Sequence, residues 1–475
     1  LGPYVDVPTT WEALERRCVY PADPAVFHRM SVAARLPLVG VALALALTVT
    51  LWARALFGPI AGLLSLGAVV FEPTVLGHGH LVTADVSLAF GMVAAIACYE
   101  RFLRSRRLRW LLPCGLATGW ALLSKVTGLE VLAIIGLMGL LLSGGGVGSR
   151  LLATARSVAM VAAVAWAVVC LAYLPFQSAL AASAPELANG AQFHSWGAPL
   201  SWVAPPPWVF SLLFQSSHAQ SGHLTYLNGV VSDHGAWGYY LEALALKSTL
   251  GLLLLVAAAA AWTAWRRDRW VAVALWLPIA VVVLVASAGG LDLGVRYVLP
   301  VYPLAAVAAG SLALGLPALL RARLVAAGAL VLVLAAASLA QFPEHIGYTN
   351  LVAGSRPEQY LGDSNLGWRQ DYWRLAQWWN AHGRPPLTVR GLVIPPIDRY
   401  GIVAREVNDD SEVVNGLFVT DTFTLSLRRD RPAFQQLLRS GPVARVGTDI
   451  AIFDVHDATQ LVGPDTLPTP PPCPR

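Results

Sequence analysis

Residues 36–54 read LPLVGVALALALTVTLWAR, a run whose only charged residue is the arginine at its end. At 1.5 Å per residue, a helix of this length covers about 28 Å, close to the ~30 Å apolar thickness of a bilayer. Comparable segments follow along the chain, and each is long enough to span or nearly span a membrane. They lie near residues 36–54, 59–76, 82–103, 110–124, 128–143, 153–175, 238–262, 270–288, 296–316 and 323–342.

These segments predict an all-α polytopic membrane bundle of about ten spans. The composition agrees, since 56% of the 475 residues are hydrophobic and only 13% are charged. A closed β-barrel would instead show shorter segments of alternating character. The net charge of +5 does not indicate a nucleic-acid partner, because the arginines cluster beside apolar segments, where topology signals are expected.

The basic clusters predict the orientation of the bundle. If the spans alternate, all of them fall on one side, which the positive-inside rule assigns to the cytoplasm. The opposite side receives the N-terminal stretch, GHGHLVTAD at 77–85 and the long loop 177–236, and residues 157–246 contain no Lys or Arg. The clusters are RFLRSRRLR at 101–109, GSR at 148–150, RRDR at 266–269 and RAR at 321–323.

The chain changes character after residue 343, where Pro, Asp, Arg and Trp become more frequent. Short runs such as LTVRGLVI at 387–394 and DIAIFDV at 449–455 indicate strands. Residues 344–475 therefore predict a small α/β domain outside the cytoplasm. Its first helix should place Trp368, Tyr372, Leu375 and Trp379 on one face, which either lies on the membrane surface or, as we favour, packs in the ordinary way.

Ionisable residues at or inside the apolar segments are the candidates for chemistry, because burying them costs several kcal/mol unless they are partnered or face water. Most sit at the predicted outer ends of spans, whereas Lys247 lies about nine residues inside one and needs a buried carboxylate or an aqueous cavity. The candidates are Glu72, His78, His80, Asp85, Lys125, Asp233, His234, Glu242, Lys247, Asp292 and Arg296.

Each candidate also has a structural interpretation. Asp85 could simply cap a helix that begins there, and the two histidines could be plain loop residues. Lys125 and Arg296 could extend from helix ends to the lipid headgroups. Taken together, however, carboxylates could act as a general base or hold a divalent metal such as Mg or Mn, while the cations bind a phosphate leaving group. We assign no set of metal ligands from the sequence.

Five strings in order resemble the bacterial integral-membrane glycosyltransferases of the GT-C fold, which are related to the family 39 protein O-mannosyltransferases. The resemblance covers residues 36 to about 455. The strings are LFGPIAGLLSLGAVVFEPTVLGHGHLVTADVSLAF at 56–90, LATGWALLSKVTGL at 116–129, YLNGVVSDHGAWGYYLEALALKSTLGLLLL at 226–255, GVRYVLPVYPL at 294–304 and FPEHIGYTNLVAGSRPEQYLGDSNLGWRQD at 342–371.

The resemblance implies transfer of a sugar from a polyprenyl-phosphate carrier to an extracytoplasmic protein, lipid or glycan, with inversion at the sugar carbon. It implies a bacterial plasma-membrane protein in which residues 1–35 are the remnant of the first outer loop, 36–343 form the transferase domain and 344–475 form an outer domain. Asp85 matches a second acidic site of such enzymes, with Glu72 as a further catalytic candidate. Lys125, Arg296 and Lys247 are candidates for binding the carrier phosphate.

Further candidate site-lining residues lie in the same strings, namely His78, His80, Asn228, Asp233, Asp363, Asn365, Gln370 and Asp371. Members of the family usually have one more span and an Asp-Glu pair in the first outer loop, and we expect these upstream of Leu1, for about eleven spans in all. Two other functions remain open: transport or flipping of a lipid-linked or anionic solute, and a non-catalytic assembly or sensor role.

Overall fold

The structure, a computed structural model, describes residues 20–21, 23–176, 205–221, 224–316, 319–354, 356–392, 395–407, 413–429 and 431–460. The chain divides into two compact units. The membrane unit comprises Pro37–His223 and Asp233–His345, and the C-terminal unit comprises Leu1–Leu36, Leu224–Ser232 and Ile346–Arg475. Cys18 and Cys473, which the sequence allows as a possible disulfide pair, lie outside the described residues.

Every predicted apolar segment contains helix. In chain order the helices up to residue 340 are α1 Pro24–Phe57, α2 Pro59–Val70, α3 Pro73–His78, α4 Asp85–Ser105, α5 Leu111–Ser124, α6 Glu130–Leu142, α7 Val147–Tyr173, α8 Pro206–Ser221, α9 Tyr239–Lys247, α10 Leu250–Arg266, α11 Arg269–Ala288, α12 Val301–Gly310 and α13 Leu320–Ala340. The chain is therefore a helical, multi-pass membrane protein.

The predicted count of about ten spans is not confirmed. Within the described residues, five helices are long and apolar enough to cross a membrane, namely α1, α4, α7, α11 and α13, and a bent pair of helices raises the number to six. Several other segments form shorter helices, and the 12 residues of α2 cover about 18 Å. The segment 59–76 is interrupted because Glu72 precedes Pro73 and adopts extended backbone, as residues before proline do.

The bent pair corrects one sequence expectation. The segment 238–262 was expected to be a single straight span, but α9 ends at Lys247 and α10 begins at Leu250 after a turn of 117°. Thr249 caps α10, since its side chain accepts the backbone N–H of Leu252. Lys247 therefore lies at a helix break and not in the middle of a continuous helix.

The C-terminal unit contains the predicted α/β structure. Its mixed five-stranded sheet has the order β4-β3-β5-β7-β6, in which β3 is parallel to β4 and β5, and β7 is antiparallel to β5 and β6. The elements are β3 Leu387–Arg390, β4 Arg405–Glu406, β5 Val413–Asp421, β6 Ala444–Val446, β7 Ile450–Gln460, α14 Tyr372–Ala381, α15 Thr422–Leu427 and α16 Pro432–Ser440.

Two apolar cores form in this unit, one containing α14 and the other α15 and α16. Tyr372, Leu375 and Trp379 of α14 are buried with Val389 and Ile452 of the sheet. The predicted apolar face of this helix therefore packs against a sheet, which supports ordinary packing over a place on the membrane surface. The helix begins at Tyr372, so Trp368 precedes it and does not continue the face.

A short hairpin, Thr225–Leu227 (β1) and Val230–Ser232 (β2), also belongs to the C-terminal unit. Its two-residue turn is Asn228–Gly229, with φ of 51° and 84°. Positive φ at both central residues defines the type I′ turn that Asn-Gly favours. Leu227 forms an isolated antiparallel bridge with Leu361, which attaches the hairpin to the segment that follows residue 346.

Candidate active site

Asp85 forms the centre of a charged cluster in the membrane unit. Its Oδ1 accepts a hydrogen bond of 2.9 Å from the Lys125 ammonium, and its Oδ2 lies 3.9 Å from a guanidinium nitrogen of Arg296. The Asp85 side chain is 3% exposed, and those of the two cations are each 18% exposed. Asp85 is the first residue of α4, and its two carboxylate oxygens contact these two cations, so the structure favours ion pairing over the capping interpretation.

Close packing of α4 on α5 brings Asp85 to Lys125. Gly91 of α4 lies against the backbone of Ala121, and a Cβ on Gly91 would approach the Ala121 nitrogen to 2.8 Å. The Ser87 hydroxyl accepts hydrogen bonds from the Trp120 indole and the Ser124 hydroxyl. These contacts fix the end of α5 beside the start of α4, where the extended backbone of Lys125 ends the helix.

Arg296 reaches the cluster from a different part of the chain. It lies in a short 3-10 turn, Val295–Val298, that follows Gly294. Gly294 has φ of 106°, which a residue with a Cβ rarely adopts. The next residue, Tyr297, lies under both cations, with its ring centroid 3.7 Å from the Lys125 nitrogen and 5.2 Å from the Arg296 guanidinium carbon. Its π face therefore adds a second attraction that holds the cations together.

The two predicted histidines have different environments. His78 is buried, and its Nδ1 lies 2.8 Å from the Thr74 carbonyl oxygen, to which it donates. It also interacts electrostatically with Asp85, Lys247 and Arg296. His80 is half-buried, with Nδ1 3.1 Å from the Leu76 carbonyl oxygen. His78 is thus the histidine that the structure brings close to the charged cluster.

Glu72 and Lys247 belong to a second buried group, in which Glu72 is the carboxylate that attracts Lys247. Both residues are at most 1% exposed and attract each other electrostatically. The Glu72 carboxylate accepts the Thr249 hydroxyl at 2.9 Å and the Thr249 backbone N–H at 3.3 Å. The Thr74 hydroxyl donates to the Lys247 carbonyl at 2.9 Å. Glu72 therefore binds the helix break between α9 and α10.

No group of three or more His, Cys, Asp or Glu side chains that could hold a metal ion occurs in the described part of the chain. Asp85 is engaged by two cations, and Glu72 by Thr249. The side chains that these elements supply therefore do not fit an Mg or Mn site.

The remaining predicted residue of the membrane unit, Asp233, is exposed. Its carboxylate lies 3.5 Å from the His234 ring, and both side chains are largely in solvent. The neighbouring loop is held by Asp292, whose buried carboxylate accepts the Ala236 backbone N–H. Among the described residues, Asp233 pairs with His234 and not with the Asp85 cluster.

The other predicted site-lining residues belong to the C-terminal unit. Asn228 occupies the hairpin turn, and its backbone N–H donates to the Tyr360 carbonyl. The Asn365 side-chain amide donates to the Gly362 carbonyl, and Asp363 caps its own short turn through the Ser364 N–H. These contacts stabilise local turns within the unit.

Asp371 and Gln370 have long-range partners in the C-terminal unit. Asp371 is fully buried, accepts the backbone N–H groups of Thr448 and Asp449 at 3.0 Å each, and pairs with Arg374. The Gln370 side-chain amide donates to the Thr448 hydroxyl at 3.4 Å as well as to the nearby Leu366 carbonyl. Burial raises the pKa of Asp371 above its ordinary value, and the hydrogen bonds from Asp449 and Thr448 and the charge of Arg374 oppose this rise.

Three contributors to the charged groups were not predicted. Tyr297 follows Arg296 in the sequence, and an aromatic residue next to a cation could have predicted a cation–π contact. Thr249 follows the break and carries the Ser/Thr signature of a helix start. Glu130 at the start of α6 interacts electrostatically with Lys125, and an acidic residue in an apolar segment was itself a signal.

Two groups of solved structures are similar to the chain at low identity. ArnT from Cupriavidus metallidurans, solved bound to undecaprenyl phosphate, is 16% identical, with 91% of this chain and 85% of that chain covered and a TM-score of 0.45. The oligosaccharyltransferase AglB from the archaeon Archaeoglobus fulgidus, solved with an inhibitory peptide and a dolichol-phosphate, is 13% identical, with 84% and 60% covered and a TM-score of 0.43. No curated protein matches the chain.

A family model gives the remaining comparison. It covers about a third of the chain and includes Glu72, His78, Asp85 and Lys125, whereas Lys247 and Arg296 lie beyond it. The resemblance indicated by the sequence strings is confirmed over this segment: residues 24–176 match the dolichyl-phosphate-mannose-protein mannosyltransferase family.

Proposed function

We propose that the protein is a membrane glycosyltransferase that moves a sugar from a polyprenyl-phosphate carrier to an acceptor. The observation that carries the proposal is the Asp85 cluster, in which a buried carboxylate holds two partly exposed cations. The family match of residues 24–176 supports it, because that segment supplies Asp85 and Lys125.

Lys125 and Arg296 are proposed to bind the carrier phosphate. In a direct displacement, an acceptor atom attacks the anomeric carbon and gives up any proton it carries to a general base. The bond from that carbon to the phosphate oxygen breaks, polyprenyl phosphate leaves, and the sugar configuration inverts. The leaving phosphate gains negative charge as the bond breaks. Fixed cations stabilise that charge more strongly in the transition state than in the bound donor, which is how they accelerate the step.

Asp85 is proposed to position these cations. Lys125 has a flexible four-carbon stem, and its ammonium would otherwise lose conformational entropy each time it bound a phosphate. A carboxylate at 2.9 Å and the Tyr297 ring at 3.7 Å hold the ammonium in place before the donor arrives. The enzyme therefore spends less binding energy on ordering the site.

Glu72 and Lys247 are proposed to maintain the helix break that follows Lys247. Both side chains are fully buried, so neither reaches solvent in the described structure. His78 is close enough to interact electrostatically with both Lys247 and Asp85. The sugar and the class of acceptor, whether protein, lipid or glycan, depend on pocket contacts that these residues do not define.

The proposal is tested with the purified full chain in nanodiscs and a radiolabelled polyprenyl-phosphate sugar. Asp85→Asn and Arg296→Gln should each lower the transfer rate by at least tenfold, because each removes a charge from the cluster. The matched controls are Arg156→Gln, on the exposed surface of α7, and Asp398→Asn, whose exposed carboxylate pairs with Arg399. Equal rates for the Asp85 and Asp398 variants would refute the role given to Asp85.

Transport of a lipid-linked anion remains a second candidate because of the 117° break next to buried Lys247. Discontinuous helices form the substrate sites of many secondary transporters. Proteoliposomes containing a fluorescent polyprenyl-phosphate sugar distinguish the two functions. Movement of the lipid between leaflets without release of polyprenyl phosphate would favour transport.

A further inference from the structure

The C-terminal unit contains a cavity of about 380 Å³ that none of the predicted site residues lines. It lies between the β1 hairpin residue Tyr226 and the region around α15 and α16. The volume is within the ~300–1,000 Å³ range typical of small-molecule sites. Its lining combines arginines with hydroxyl and apolar side chains, chiefly Arg356, Glu358, Ser426, Arg429, Arg445 and Phe453.

The charge of this cavity is strongly positive. Three arginines and one glutamate line it, for a net charge of +2. Arg445 is neutralised by Glu358 at 2.9 Å. Arg356 and Arg429 make no ion pair with a carboxylate among the residues that the structure describes. Two guanidinium groups thus remain to bind an anion.

Tyr226 positions one of these two arginines. The Arg429 guanidinium donates to the Tyr226 hydroxyl and lies over the same ring at 5.8 Å from its centroid. The Tyr226 hydroxyl in turn donates to the Gln359 carbonyl at 3.1 Å. One of the five N–H donors of Arg429 is used in this contact, and a planar guanidinium held in this way is suited to bidentate recognition of an oxyanion.

The other polar groups indicate the rest of the ligand. The Ser426 hydroxyl already donates to the Thr422 carbonyl, and the Thr422 hydroxyl donates to Asp449. Both hydroxyl oxygens are therefore left to accept hydrogen bonds, as the hydroxyls of a ligand would require. The apolar wall formed by Leu425 and Phe453 would contact its carbon skeleton.

We propose that this cavity binds a phosphate monoester with a small hydroxylated body, such as a sugar phosphate. A phosphate monoester carries a charge of about −1.5 to −2 at pH 7, which matches the +2 of the lining better than a carboxylate does. Arg429 and Arg356 bind the phosphate oxygens. The site is separate from the proposed transfer chemistry and is tested by binding alone.

The test uses the full chain in nanodiscs of a zwitterionic lipid, titrated calorimetrically in phosphate-free buffer. The probes are glucose 6-phosphate, inorganic phosphate and glucose. Glucose 6-phosphate should bind most tightly, inorganic phosphate more weakly and glucose at least tenfold more weakly than glucose 6-phosphate. Failure of both phosphate probes to bind, or equal binding of glucose and glucose 6-phosphate, would overturn the proposal.

Variants locate the binding site. Arg429→Ala and Arg356→Ala should each weaken glucose 6-phosphate binding at least tenfold, and Tyr226→Phe should weaken it severalfold by releasing Arg429. Arg356 is exposed, so its variant keeps the test valid if Arg429→Ala destabilises the unit. Arg439→Ala, on an exposed α16 residue outside the cavity, is the matched control. Equal losses in the Arg356 and Arg439 variants would also overturn the proposal.

Discussion

Replacing Glu72 by Gln should destabilise the membrane unit because it removes a buried negative charge that attracts the buried Lys247 ammonium. Gln keeps an oxygen that can accept the Thr249 hydroxyl and N–H, so the change removes charge and little else. Breaking a buried pair in this way costs about 3–5 kcal/mol. For a unit of this size, with roughly 2 °C of midpoint shift per kcal/mol, a loss of about 3 kcal/mol lowers the unfolding midpoint by ~6 °C.

A second substitution should reverse most of this loss. In Glu72→Gln/Lys247→Met no unpaired charge remains, and replacing a buried ion pair by neutral groups is often close to neutral in stability. We expect the double variant within about 1 kcal/mol of the parent, which amounts to a coupling of ~2 kcal/mol or more. The assay is thermal unfolding of the full chain in nanodiscs at one fixed scan rate, followed by tryptophan fluorescence, with the single and double variants compared in parallel.

The same variants separate a structural role from a chemical one. If the pair maintains the helix break, the double variant should transfer sugar within about threefold of the parent. A double variant that is as stable as the parent but at least 100-fold slower would show that Glu72 or Lys247 takes part in the reaction. A Glu72→Gln variant with an unchanged midpoint would refute the argument from buried charge.

Three further outcomes follow from the structure. Lys125→Ala should lower kcat/KM for sugar transfer by about 10²–10³-fold, with Arg156→Ala unchanged, because it removes a charged donor from the proposed phosphate site. Burial and the charge of Asp421 raise the pKa of Asp449 above the ordinary 3.8, so the unfolded chain loses this proton at a lower pH than the folded chain does. The C-terminal unit should therefore lose stability as the pH rises from 3.8 toward the raised pKa of Asp449. Hydrogen exchange in β7, corrected for intrinsic rates, should accordingly be slower at pH 5 than at pH 7.5. Gly367→Ala should cost ~2 kcal/mol, measured by chemical unfolding of the full chain, because a Cβ there would lie 2.0 Å from the Asp449 carboxyl carbon.

The apolar segments were sufficient to predict where helices occur but not where they break. Proline explains the break at Glu72–Pro73, and a rule for the residue before proline could have predicted it. The break after Lys247 had a weaker signal, a Thr at the position of a helix cap. The Asn-Gly pair at 228–229 is a stronger signal, since it favours the tight hairpin turn that the structure contains.

The sequence predicts which residues form the candidate site better than it predicts the contacts between them. Charge in an apolar context was enough to single out Asp85, Lys125 and Arg296, which the fold then brings together. The bond between Glu72 and Thr249 joins residues 177 positions apart, and no local pattern specifies such a pairing. Charged residues in apolar segments therefore identify the candidate residues, whereas their partners are known only from the tertiary structure.

The release of polyprenyl phosphate tests the central claim most directly. The purified full chain in nanodiscs receives a polyprenyl-phosphate sugar of known anomeric configuration together with an extract of cell-envelope acceptors. Our account predicts one polyprenyl phosphate released for each sugar transferred and an inverted configuration in the product. It also predicts that Asp85→Asn lowers both release and transfer at least tenfold. Transfer by Asp85→Asn at the parental rate, or movement of the intact donor across the bilayer with no release of polyprenyl phosphate, would contradict it.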